Sequence, residues 1–147
     1  MKLRNTLMVA AAALMMAACD PGFEEDIVLS NSTSHSVTIV PSGDTELTLA
    51  AGEEKVIKHH DGLGGASLEF GINEFAWYYG DSVVVRFDNS RQATYHKDDT
   101  TGISPYNFSG QNYTYEEKRK ESSPFKGNPY YGKLTFSITD EHYNAAQ

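Results

Sequence analysis

The chain has 147 residues, 12 Lys and Arg against 20 Asp and Glu, and a formal net charge of −8 at pH 7. That length suits one domain with a genuine core, and the acidic balance disfavours nucleic acid and anionic lipid headgroups, whose phosphates repel it. Cys19 is the single cysteine, so no intramolecular disulfide can form and packing must carry the stability.

Lys2 and Arg4 open the chain, Leu7 to Ala18 carries no charge, and Met16-Ala17-Ala18 leads directly into Cys19. A basic start, an apolar stretch and a small-residue cleavage site make a secretory signal. The apolar stretch falls short of the roughly 20 residues that a membrane-spanning helix needs. Met16-Ala17-Ala18-Cys19 resembles the bacterial lipoprotein signal, although Met16 stands where that pattern prefers leucine. The resemblance implies cleavage before Cys19, a diacylglyceryl thioether on its sulfur and acylation of the new amine. Several chains at about 0.8 kcal/mol per buried CH₂ make a durable anchor. Residues 1–18 are thus expected to be signal peptide, with a plain secretory signal cut after Ala18 as the alternative. Residues 19–26, ending in Asp20-Pro21-Gly22-Phe23-Glu24-Glu25-Asp26, read as an exposed acidic tether. Acids so soon after the anchor, Glu24, Glu25 and Asp26, resemble a flag for export to the outer face of the outer membrane. They read equally as a solvated spacer.

From Ile27 the pattern has a period of two. Val37 and Ile39 alternate with polar neighbours, as do Leu47 and Leu49, and Pro41-Ser42-Gly43-Asp44 between them is turn chemistry. A hairpin of His35–Val40 and Thr45–Ala50 is expected. A short strand follows at Glu54–Lys58, then a glycine-rich loop, His59 to Gly65, and a strand near Ser67–Phe70. Val83, Val85 and Phe87 share one face of the next strand. Asn89-Ser90-Arg91 reads as a hairpin loop into Gln92–His96. Residues 98–112 show no period and read as a long loop. Tyr113–Glu121 is a charged edge strand, and Ser122–Pro129 another loop. Leu134, Phe136 and Ile138 make the clearest strand, after which Thr139 caps a short terminal helical turn containing Asp140 and Glu141.

Nothing long carries helical period. The expected fold is all-β: a small antiparallel β-sandwich of immunoglobulin-like type over residues 27–147, with a short C-terminal helical turn. The signal ending at Cys19, the strand Ile27-Val28-Leu29-Ser30-Asn31 leading into Ser36-Val37-Thr38-Ile39, the Ser82–Asp88 strand and the ending Phe136 to Tyr143 resemble small lipoproteins of Gram-negative gut anaerobes. The resemblance implies one β-domain tethered to the outer membrane. Activities in that group are mostly unassigned, so it supplies no catalytic residues.

His59-His60-Asp61 is the one cluster of metal-ligand types, but adjacent strand residues point to opposite faces, and a metal site needs three or four converging groups. Read as a solvated loop, it carries no metal; read otherwise, it is the core of a rival hydrolase or metal-binding function. No GxSxG is present, and Gly62-Leu63-Gly64-Gly65 lacks the following helix that a phosphate cradle requires. No catalytic residue and no cofactor are expected. The aromatics are more informative: Phe75-Ala76-Trp77-Tyr78-Tyr79 is dense, and Tyr130 and Tyr131 adjoin a loop. Aromatic side chains bury large areas and can stack on sugars or anchor a protein. Trp77 is the natural centre of a sandwich core; alternatively Trp77, Tyr79, Tyr130 and Tyr131 form a binding face.

Asp81-Ser82-Val83 and Asp99-Thr100-Thr101 resemble the acceptor motif of periplasmic O-glycosylation in the same organisms. Asn31-Ser32-Thr33, Asn107-Phe108-Ser109 and Asn112-Tyr113-Thr114 match the eukaryotic N-glycan acceptor. The functional expectation is a non-catalytic lipoprotein of the cell envelope, held to the outer membrane at Cys19, binding a protein partner or a glycan.

Overall fold

The computed structural model describes residues 22–63, 67–88, 91–119 and 130–147. The signal, Cys19, the Asn89-Ser90 part of the expected hairpin loop and the 122–129 loop lie outside them. Among the described residues there are eight strands: β1 (Gly22–Asn31), β2 (Val37–Pro41), β3 (Leu47–Leu49), β4 (Glu54–Leu63), β5 (Ser82–Phe87), β6 (Arg91–His96), β7 (Tyr113–Arg119) and β8 (Tyr130–Ile138). The described residues also form helices α1 (Leu68–Tyr79), between β4 and β5, and α2 (Asp140–Ala145), after β8.

The strands form two four-stranded sheets, β4-β1-β8-β7 and β3-β2-β5-β6. Ile27, Leu29, Leu134, Phe136 and Ile138 from the first sheet share one core with Val37, Ile39, Leu49, Val83, Val85 and Phe87 from the second. The expected all-β sandwich with a C-terminal helix is therefore what the chain forms. The hairpin is also present, with Val37 opposite Leu49 and Ile39 opposite Leu47. One pairing departs from the antiparallel rule: β1 runs parallel to β8, with Ile27 opposite Leu134 and Leu29 opposite Phe136.

The strand expected at Ser67–Phe70 is instead the start of α1. Ser67 caps it, its hydroxyl accepting from the Phe70 N–H at 3.2 Å, and Gly80 ends it with a φ of 65° that an L side chain resists. Gly71, Phe75 and Tyr79, four residues apart, are the buried face. Gly71 lets the helix approach the sheet closely, since a Cβ there would lie 2.6 Å from Leu134 Cδ2. At the other end the Ser42 N–H donates to the Tyr79 carbonyl at 3.1 Å.

Two boundaries also shift. Residues 22–26 are the first half of β1, not a free tether, because β4 and β8 flank them on both sides. The expected His59–Gly65 loop begins as strand, since β4 continues to Leu63.

Candidate functional site

A helix advances about 100° per residue, so burying Phe75 and Tyr79 turns Trp77 outward. Trp77 is 85% exposed on an ordered helix, and it is not the core centre that its size suggested. That place is taken by Phe75, Tyr79 and Phe136, whose ring centroids lie 5.6 to 6.5 Å apart. Trp77 stands between two clefts. One, of about 510 Å³, includes Asp81, Lys97, Tyr106 and Phe108 in its wall. The other, of about 280 Å³, is bounded by Asp44, Ile57, Lys58, Glu74 and Tyr78. In the larger cleft Lys97 Nζ sits 2.7 Å from Asp81 Oδ1, and this ammonium holds the Asp81 carboxyl below its usual range.

The other aromatics proposed for a binding face do not join Trp77. Tyr79 is 1% exposed, and its hydroxyl lies 3.4 Å from that of Tyr113, which donates to the Pro105 carbonyl at 2.6 Å. Tyr130 and Tyr131 lie on β8, opposite Phe23 and Glu24 of β1. Tyr131 donates to Asp26 Oδ2 at 2.9 Å. Trp77 and Tyr79, two residues apart, would share a face in a strand; helical geometry separates them.

His59 and His60 diverge as adjacent strand residues must. His59 Nδ1 lies 2.6 Å from Asp26 Oδ1, and that hydrogen bond raises the imidazole above its usual range. His60 packs edge-on against Phe70, with centroids 4.5 Å apart, and places Nε2 3.5 Å from Glu74 Oε1. Asp61 is exposed, opposite Glu24. Among the described residues no three His, Cys, Asp or Glu side chains are grouped to hold a metal ion.

Glu25 is the residue that sequence reasoning missed. It lies opposite His60 across β1 and β4 and opposite Gly132 across β1 and β8. Its side chain is fully buried, and neither carboxylate oxygen has a hydrogen-bond partner. His60 Nε2 and the Tyr115 hydroxyl are likewise buried without one. Burial first, and the Glu74 charge second, push the Glu25 carboxyl up to about 7. A signal was available: Glu25 has the same strand phase as the inward residues Ile27 and Leu29.

The acceptor-like triplets also find places. Thr100 is exposed in a turn, where Asp99 Oδ2 accepts from the His96 N–H at 2.7 Å. Ser82 begins β5 and is half-buried. Asn31 is fully buried, its amide donating to the carbonyls of His35 at 2.7 Å, Leu49 at 3.3 Å and Ala50 at 2.9 Å.

No family model, curated protein or solved structure matches the chain. No helix among the described residues is long and apolar enough to cross a membrane.

Proposed function

We propose that the protein is an outer-membrane lipoprotein, anchored by acyl chains on Cys19, whose β-sandwich is a non-catalytic module that binds glycan on the Trp77 face. The observation that carries the binding reading is the 85% exposure of Trp77 between two clefts. An indole left in water on an ordered helix is a platform for the apolar C–H face of a sugar ring. Asp81, Lys97, Asp44 and Glu74 around it are hydrogen-bonding groups suited to ring hydroxyls. A protein partner would favour a broader apolar patch. The other exposed large apolar side chains, Val56, Leu63 and Leu68, do not line either cleft beside Trp77.

The anchor reading rests on the sequence around Cys19. Cys19→Ser should move the protein from the membrane fraction to the soluble one. For binding, soluble glucans, mannan and cell-wall muropeptides are titrated into the purified protein while tryptophan emission is followed. Quenching or a blue shift with one of them, lost in a folded Trp77→Ala variant on affinity electrophoresis, supports the reading. No change with any of these probes, together with capture of a protein by wild type and not by Trp77→Ala, would replace glycan by a protein partner.

A further inference from the structure

We propose that Glu25 makes the seating of α1 responsive to protons: the neutral carboxyl leaves the first half of the helix closed over β1, and its ionisation loosens that half. A carboxylate buried with no hydrogen bond is among the least tolerable groups in a protein interior. Both Glu25 oxygens are in that position. The groups around it offer little relief. From α1 comes Glu74, a like charge; from β4 comes His60, whose Nε2 lies toward Glu74 at 3.5 Å without a hydrogen bond. From β7 come Tyr115, whose own ionisation Glu25 opposes, and Glu117, a further acid opposite Gly132 in the same cross-strand row; from β8 come Gly132, which has no side chain, and Tyr130, two residues before it on the same face. The neutral acid therefore fits the closed structure, and the anion requires water.

Water is most easily admitted at the first half of α1. The second half is fixed by Phe75 and Tyr79 in the core and by the Ser42 hydrogen bond to the Tyr79 carbonyl. The first half rests on Gly71 against Leu134 and Ile27, and on Phe70 against His60. Glu74 links this buried cluster to the surface, because it both acts on Glu25 and lines the smaller cleft beside Trp77. The value of about 7 to which burial and Glu74 raise Glu25 puts the change in an accessible range. The inference does not depend on what the Trp77 face binds.

The test is hydrogen exchange, corrected for the intrinsic pH dependence of exchange, from about pH 5.5 to about 8.5. In wild type, protection of the amides around Gly71 should fall about tenfold on raising the pH, while β5 and β8 stay protected. In Glu25→Gln this response should vanish. In Glu74→Gln the midpoint should move to lower pH, because a like charge has gone. An unchanged pH response in Glu25→Gln, or none in wild type, overturns the proposal. Should Glu25→Gln not fold, the carboxyl carbon of Glu25 is titrated by NMR in wild type. A midpoint shared with the exchange transition supports the proposal, and a separate midpoint overturns it.

Discussion

His142 Nε2 donates to the Ile103 carbonyl at 2.8 Å, fastening the C-terminal helix to the long connection between β6 and β7. The other ring nitrogen, Nδ1, accepts from the Thr139 N–H at 3.1 Å, so one neutral tautomer satisfies a helix N-terminus and a loop together. Burial pushes the imidazole down to about 4. Because the folded value lies below the ordinary 6.5, the contribution is fully present above pH 6.5 and is lost as pH falls toward 4. It amounts to roughly 3 kcal/mol. His142→Gln should gain stability relative to wild type in urea melts as pH falls from 6.5 toward 4, because only the variant has lost the buried imidazole; a difference from wild type that is the same at both pH values would show that His142 does not carry this dependence.

Glu25 works in the opposite sense. Its folded value is raised from 4.5 to about 7, so the neutral carboxyl favours folding most below pH 4.5, and that contribution is lost as pH rises through 7. Between those limits the two groups offset one another, and wild-type stability should vary little with pH. Glu25→Gln should gain relative to wild type between pH 4.5 and 8 by up to about 3 kcal/mol. Urea midpoints at the two pH values measure the difference, and a gain equal at both would remove Glu25 from the account.

Trp77→Ala should change stability by less than about 0.5 kcal/mol, the usual range for an exposed side chain. The emission maximum of wild type should shift little on unfolding, since the indole already stands in water. A large red shift in urea would return Trp77 to the core.

Gly71→Ala combines two opposed effects. Alanine favours a helix over glycine by about 1 kcal/mol, but the added methyl meets Leu134 Cδ2 at 2.6 Å and Leu134 Cβ at 3.2 Å. The second contact cannot be relieved by a side-chain rotation, so a net loss of roughly 1 to 2 kcal/mol is expected from overpacking. Denaturant melts decide the sign, and a stabilised variant would mean that α1 sits further from β8.

Asn31→Ala should be the most damaging of these changes. The side chain serves three carbonyls, and its Oδ1 accepts from the Thr33 N–H at 3.1 Å and the Thr33 hydroxyl at 2.8 Å. Leaving those groups unpaired costs on the order of 3 kcal/mol. A thermal melt close to wild type would show that water replaces the amide.

The central strands were legible because one face of each is buried: Val83, Val85 and Phe87, and Leu134, Phe136 and Ile138, leave a period of two in the chain. α1 was not, because Phe75 to Tyr79 is rich in residues that favour strands and Gly71 disfavours a helix. The cap at Ser67 and the stop at Gly80 were the usable signals. Glu25 escaped because acids beside Pro21 and Gly22 suggest solvent by composition, whereas strand phase decides which of them enters the core. Trp77 and Tyr79, grouped as one face, are parted because residues two apart share a side of a strand but not of a helix: Trp77 stands in solvent and Tyr79 is buried. The parallel pairing of β1 with β8 has no local signature at all.

That pairing has a mechanical consequence. β1 is an inner strand, gripped by β4 on one side and β8 on the other. Tension arriving through the residues ahead of Gly22, resisted at α1, would load both ladders in shear, so many hydrogen bonds would have to yield at once. An edge strand pulled in the same way would load a single ladder. The end of the domain nearest Cys19 is thus built to carry load.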